Sequence, residues 1–268
     1  MKTSVLINVY NRPDMLAACL RALALGPRMP DEAIVSDDGS DEKCVRKMRA
    51  AFDGLPFPVR YVRQEHKGYR LAAVRNNAVR ASTGEYLVFI DCDILLLPET
   101  LEKHLRRAGA GRFLAGNRAL LDKDSSASAL RGSISARLLE TLWDEADKSR
   151  LPKIHRRFQR NLLLRRLGLS APHKPKILGC HFSLFRKDVE RVNGFDENFT
   201  GWGLEDDDFA RRLYRAGVKG LSVVQDARAL HLWHQPADSK PQAISASPNW
   251  NYFKRPHVPA YCKEGINP

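Results

Sequence analysis

The first hundred residues alternate between two kinds of hydrophobic pattern, and that alternation narrows the available folds more than any other feature. "SVLINVY" is a β-branched apolar run ending at "NRPD", a turn that also offers Asn11 or Asp14 as a helix start. "MLAACLRALAL" then repeats apolar residues at helical spacing and stops at "GPRMP". "EAIVSDDGSD" reads as a second strand running into a turn, residues 41–52 as a helix, and "PVRYVRQ" as a third strand. "RLAAVRNNAVRAS" is helical and closes at Gly84, and "EYLVFIDCDILL" is a fourth strand, apolar until it meets two aspartates. Strands that alternate with helices run parallel and are covered on both faces, so the pattern predicts an α/β fold around a mostly parallel sheet. Ligands of such sheets sit beyond the carboxyl ends of the strands. "SDDGSD" and "DCD" both fall there.

The rest of the chain differs in composition. From Arg150 to Lys176 there are nine cations and no acid, with Leu162, Leu163, Leu164, Leu167 and Leu169 interleaved. Residues 117–176 therefore read as a basic, largely helical insert between residues 1–116 and a resumed globular pattern over 177–240. Residues 241–268, rich in Pro, Ser and Asn, read as a loosely structured, extended tail. The net charge of +13 predicts an anionic partner: nucleic acid, a phosphorylated small molecule or an acidic lipid surface. Five cysteines without a C-x-x-C pair argue for reduced thiols and a cytoplasmic setting. The apolar run at the N-terminus is too short for a signal peptide, and no stretch approaches the roughly 20 apolar residues of a membrane span. Any encounter with a membrane is expected at its surface.

Three acidic clusters carry the chemistry. On a strand, alternate residues share a side, so Asp91 and Asp93 can face one site while Cys92 faces the other. Two such carboxylates repel unless a cation lies near them, and Mg²⁺ or Mn²⁺ on a diphosphate would satisfy them. For an isolated D-x-D the bland alternative, a solvated strand end with two chance acids, is the commoner case, because three-residue patterns arise easily. In "SDDGSD" an Asx-turn accounts for Gly39 and Ser40 but leaves one of Asp37 and Asp38 over, which a uracil or ribose could engage. In "GWGLEDDDFARRL" four acids open a predicted helix. Asp207 and Asp208 can be simple helix-start residues, favoured there by the helix dipole. Glu205 and Asp206, beside Trp202, are candidates for a general base, because burial and like charge would raise a carboxylate's pKa. His231 and His234 of "HLWH" become credible metal ligands only if Asp93 already holds a metal.

Together, "VLINVYNRPD", "SDDGS", "YRLAAVRNNAV", "EYLVFIDCD" and "GCHFSLFRKDVERVNGFDENFTGWGLEDDDFARRL" resemble family-2 glycosyltransferases of the GT-A fold. The last block is similar to the C-terminal region of β-1,4-galactosyltransferases and of bacterial capsule and lipopolysaccharide transferases. The resemblance covers residues 3–100 and 177–235, leaving out the insert and the tail. It implies a Rossmann-like GT-A domain and an inverting, Mn²⁺- or Mg²⁺-dependent transfer from a UDP-sugar to a glycan or lipid-linked glycan. Its nucleotide pocket would include Val9, Tyr10, Arg12 and Asp38, the last at the uracil. Arg70 and Asn76 would lie near the base or diphosphate, with Asp91 and Cys92 near the ribose or donor sugar. Asp93 and His234 would ligate the metal, and His231, where the galactosyltransferase pattern has methionine, is an additional candidate. Trp202 and Gly203 would meet sugar rings, Glu205 would bind sugar hydroxyls, and Asp206 would be the catalytic base. Leu204 replaces a glycine of the pattern, which leaves less room over the sugar.

Two rival functions follow from the same residues. A catalytically inactive carbohydrate-binding protein could keep the fold, but here the metal, base and nucleotide positions are all filled. The basic segment, residues 150–176, could meet an anionic membrane or a lipid-linked acceptor, placing the protein on the cytoplasmic face of the inner membrane. It could also be a plain solvated insert. Nucleic acid is not expected, since the acidic motifs would have no role in binding it.

Overall fold

The computed structural model describes residues 1–236 and 240–267; Pro268, the end of the tail, lies outside the described residues. Strands β1 (Thr3–Val9), β2 (Glu32–Asp37), β3 (Val59–Arg63) and β4 (Tyr86–Asp91) alternate with helices α1 (Pro13–Leu23), α2 (Glu42–Ala50) and α3 (Leu71–Ala81). The chain continues through β5 (Ile94–Leu96), α4 (Thr100–Arg107), β6 (Arg112–Ala115) and β7 (Ala119–Leu120). The insert, residues 117–176, folds mainly as α5 (Lys123–Arg131), α6 (Ala136–Glu145) and α7 (Leu151–Arg166), the last within the basic segment. After it come β8 (His181–Phe185), α8 (Arg186–Glu190), α9 (Glu205–Arg215), β9 (Lys219–Ser222), β10 (Ala229–His231) and the short α10 (Trp250–Phe253).

Seven strands form the main sheet in the order β3-β2-β1-β4-β8-β6-β9. Only β8 runs against the others, pairing antiparallel with both β4 and β6. β1, β2 and β4 are buried along almost their whole length, as their continuous apolar runs require of strands covered on both faces. The register places Val9 beside Asp37 and Asn8 beside Asp91. The carboxyl ends of three strands therefore open on one rim, and the acidic turns follow directly from them. Helix α1 starts at Pro13, whose fixed φ suits a first turn, and neither Asn11 nor Asp14 caps it. The Asn11 side chain instead accepts from the Asp41 amide at 2.9 Å and ties the first loop to the second.

A second sheet of three short strands, β5-β10-β7, has no counterpart in the sequence reading, because strands of two or three residues leave no period. It matters for the site. β10 pairs antiparallel with β5 so that His231 lies opposite Ile94, and the Leu232 amide donates to the Asp93 carbonyl at 2.9 Å.

The tail is not loose. Val258, Cys262 and Ile266 are buried, Ile266 joins the core on the α3 face of the sheet, and its amide donates to the Asn193 carbonyl at 3.0 Å. Single apolar residues among prolines and glycines show no periodicity, yet each fills a site on the core. Arg255 reaches back to Asp208, which is fully buried and also bound by Arg211 and Arg212 at 2.7 Å each. Burial would raise that carboxyl's pKa, but the three guanidiniums outweigh it and hold the group below its ordinary range. Asp208 thus works inside the fold rather than in a site.

Candidate active site

A cleft of about 1080 Å³ opens at the carboxyl ends of β1, β2 and β4, between the short sheet and the start of α9. At one end lie Val9, Tyr10 and Asp38. The two aspartates of "SDDGSD" separate cleanly. Asp37 is fully buried and serves the turn: it accepts from the Ser40 amide at 3.1 Å, the Ser40 hydroxyl at 2.5 Å and the Tyr61 hydroxyl at 2.6 Å. Asp38 faces the cleft, with its carboxyl raised by burial despite the Gln64 amide donating to it at 2.5 Å. The Tyr10 ring stacks on His66 at 4.3 Å between centroids, forming a flat aromatic surface beside Asp38. Arg70 and Asn76 are not in the cleft wall. The Arg70 guanidinium donates to the Glu65 carbonyl. Asn76 is fully buried and joins α3 to the "NGFDE" turn, donating to the Phe195 carbonyl at 2.8 Å and accepting from the Phe195 amide at 2.9 Å.

In the middle, Asp91 ends β4, while Cys92 and Asp93 lie in the turn to β5 rather than on a continuing strand. Asp93, His231 and His234 bring one ligand atom each within 4.8 Å of one another. His234 Nε2 is 3.0 Å from one Asp93 oxygen and His231 Nε2 is 3.7 Å from the other. Asp93 is buried, and its Oδ1 has no hydrogen-bond partner among the described residues, an expensive arrangement unless a cation binds there. His234 Nδ1 lies 2.6 Å from the Gln235 carbonyl and 3.0 Å from an Arg12 guanidinium nitrogen, which leaves Nε2 as the ring atom turned toward Asp93. One carboxylate and two imidazoles can hold a divalent cation and leave positions open for further ligands. Arg12 donates to Asp93 at 2.8 Å and is the one guanidinium in direct contact with that carboxylate among the described residues. The Cys92 thiol is buried and its pKa is pushed well up by burial, so it is inert lining.

At the far end, α9 begins with the acidic run, as predicted. Trp202, Gly203, Glu205 and Asp206 line the cleft. Glu205 is buried and its carboxyl is pushed up to about 7, by burial and then by the neighbouring Asp206, against the pull of Arg75. Its Oε2 is buried and has no hydrogen-bond partner among the described residues. Asp206 is half-buried and accepts from the Gly179 amide at 3.2 Å and the Asp207 amide at 2.8 Å. Asp207 is bound by Lys176 at 2.5 Å, and burial pushes its carboxyl up to about 6.

Arg75 was not legible as a site residue. It is buried on α3, donates to Glu205 at 3.0 Å and sits 3.6 Å from Asp91, so it bridges the strand-end aspartates and the α9 acids. Gly179 makes room for it, since a Cβ there would lie 2.3 Å from an Arg75 nitrogen. The signal was present: Arg75 occurs at helical spacing with Leu71, Ala72, Ala78 and Val79, a cation on an otherwise apolar face. The basic insert also reaches the cleft, through Ile154, Arg157, Phe158 and Asn161 of α7.

Comparison with known proteins places this geometry. The model of glycosyl transferase family 2 matches residues 4–192, and that of the N-terminal domain of galactosyltransferase matches residues 170–235. The chain is 32% identical over 242 residues to a chondroitin synthase of Escherichia coli, covering 85% of this chain and 34% of that protein. It is 28% identical over 259 residues to a validoxylamine A glucosyltransferase of Streptomyces hygroscopicus subsp. limoneus, covering 87% of this chain and 52% of the other. The chain thus spans about a third to a half of the length of these two relatives. Among solved structures, the mannosyltransferase PcManGT from Pyrobaculum calidifontis, in complex with GDP-Man and Mn²⁺, superposes with a TM-score of 0.59. It shares 17% identity, over 88% of this chain and 58% of that one. S. aureus TarS 1–349 in complex with UDP-GlcNAc also gives 0.59, at 17% identity, over 88% of this chain and 60% of that one. Likeness at that identity is a likeness of fold.

Proposed function

The chain belongs to glycosyl transferase family 2, and from that premise we propose that it is a metal-dependent, inverting transferase moving a sugar from a UDP-sugar to a hydroxyl of a glycan acceptor. In this reading residues 1–116 form the donor half and residues 177–240 the acceptor half of one domain, with residues 117–176 as an insert and 241–268 as a tail. The observation that carries it is the meeting of two acidic groups in one cleft, Asp93 with its histidines and Glu205 with Asp206, with Arg75 between Glu205 and Asp91, the residue that leads into the turn of the metal cluster.

The roles follow from charge and position. The uracil lies against Tyr10 and pairs with Asp38, the one carboxylate of its turn not used by the turn itself. Asp93, His231 and His234 would hold a divalent cation, which would supply positive charge at the diphosphate oxygens as the glycosidic bond breaks. Arg12 lies next to that point and adds its own charge there. Glu205, which lines the cleft with its carboxyl raised to about 7, both donates to and accepts from sugar hydroxyls. Asp206 takes the proton of the acceptor hydroxyl, whose oxygen attacks the anomeric carbon on the face opposite the leaving nucleotide. One attack on one face inverts the configuration. The test is a screen of UDP-sugars for Mn²⁺-dependent UDP release, followed by NMR of the anomeric proton in the product. Release with none of them would favour a binding protein without turnover, and a retained configuration would remove the single-displacement scheme.

The acceptor is proposed to be presented at an anionic membrane. Among the described residues no helix is long and apolar enough to cross one. Yet α7, one face of which lines the cleft, exposes Lys153, Arg156 and Arg160 elsewhere. Past its middle Leu163, Leu167 and Leu169 stand 57%, 62% and 71% exposed. Cations near an acidic surface contribute roughly 1 kcal/mol each, and the leucines would enter the interface. In flotation with acidic vesicles the protein should rise with the lipid, and Arg156→Glu with Arg160→Glu should leave it at the bottom. Equal flotation on neutral vesicles, or of the double variant, would refute this placement.

A further inference from the structure

The loop entering α9 has an unusual backbone. Gly201, Gly203 and Leu204 have φ of 85°, 89° and 76°, all in the left-handed region. For leucine that conformation costs of order 1–3 kcal/mol and persists only where the surroundings dictate it. A loop so built has no repeating hydrogen bonds of its own, so its carbonyls must find partners elsewhere.

They find them in the tail, which both family matches leave out, the second ending at residue 235. The Ser247 hydroxyl donates to the Trp202 carbonyl at 2.8 Å. The Asn249 amide group donates to the Gly203 carbonyl at 2.7 Å and the Gly201 carbonyl at 3.3 Å. Ser247 Oγ in turn accepts from the Asn249 backbone amide at 3.2 Å, so the two residues fix each other. Both are buried, at 5% and 3% exposure, where an unpaired donor or acceptor would be costly. Apolar contacts complete the grip. Leu204 packs with Phe199 and Phe253, and Pro248 sits so close to Gly201 that a Cβ there would lie 2.7 Å from the proline ring. Ile244 borders Gly203 and lines the cleft itself.

Glu205 and Asp206 follow Leu204 directly, so a swing of the loop would carry their carboxylates away from the cleft. We propose that residues 244–255 form a clamp that aims these two carboxylates, with Asn249 and Ser247 as positioning residues for the transfer. Its kinetic consequence rests on the transferase reading above, whereas its structural consequence does not. Asparagine is required at 249 for a stated reason. Aspartate has the same shape but only accepts, and would turn two attractive contacts with carbonyls into repulsive ones.

The experiment uses the full chain with Mn²⁺ and compares Asn249→Asp, Ser247→Ala and Ser247→Thr with Tyr261→Ala, a half-exposed tail residue, as control. Misplacing a reacting group by about 1 Å can cost on the order of 10²-fold, so kcat of Asn249→Asp should fall by about that factor. Mn²⁺-dependent UDP binding and donor KM should stay at the wild-type value, and Ser247→Thr, which keeps the hydroxyl, should keep the rate that Ser247→Ala loses. Amide hydrogen exchange should accelerate by about tenfold or more in residues 201–208 of Asn249→Asp and stay unchanged in residues 86–96. Wild-type exchange in 201–208 of that variant, or a kcat loss matched by an equal loss of UDP-binding sites, would overturn the clamp. Should Asn249→Asp not fold, the Ser247 pair carries the same comparison. Should the wild type transfer no sugar at all, the reading above fails and the exchange measurement still decides the clamp.

Discussion

Asp206→Asn is expected to lower sugar transfer by about 10²–10⁴-fold, the typical contribution of a positioned general base, while Mn²⁺-dependent UDP binding stays intact. The separation follows from placement. Asp206 sits at the α9 end of the cleft, held by the Gly179 and Asp207 amides, and the nucleotide end is formed by other elements. Asparagine keeps the shape and, with its single acceptor oxygen, one of the two backbone contacts, but it cannot take a proton. Loss should therefore appear in kcat, measured by UDP release at saturating donor and acceptor. A variant that turned over at the wild-type rate would transfer the role elsewhere, and Glu205, with its carboxyl raised to about 7, would be the first alternative. Glu205→Gln beside Asp206→Asn distinguishes the two.

Asp93→Ala should fail in the opposite manner. Removing the carboxylate leaves His231 and His234 as the remaining members of the cluster. Loss of a group that merely orients a metal ligand costs about 10–100-fold in metal affinity, and loss of the ligand itself should exceed that. Titration of the variant with UDP should show weak binding that Mn²⁺ no longer improves, and transfer should vanish because the donor does not stay bound. Unchanged stimulation by Mn²⁺ would show that the cation sits elsewhere. The two variants thus divide the cleft into an end that binds and an end that reacts.

What the sequence disclosed depended on how many residues each feature spans. β1, β2 and β4 were legible because strands covered on both faces carry runs of four or five consecutive apolar or small residues. The acidic run at the start of α9 and the D-x-D turn were legible because few folds tolerate such carboxylates without a task. The short strands β5, β7 and β10 were not, being set by pairing partners far along the chain. The division of labour between Asp37 and Asp38 was also hidden, since it depends on Tyr61 arriving from another strand. Asn76 is turned away from the cleft for a similar reason: its amide is taken by a turn 119 residues away. Arg75 escaped notice because a cation inside a helix normally reads as solvent-facing, and only the approach of Asp91 and Glu205 makes its burial affordable. The tail was misread because isolated apolar residues carry no rhythm.

The pairing of β10 with β5 has a bearing on how the molecule is made. Asp93 leaves the ribosome well over a hundred positions ahead of His231, so a growing chain can complete the donor pocket's first strands while holding only one of three cation donors. Competence to capture a cation therefore arrives late, when the strand that brings the histidines has docked.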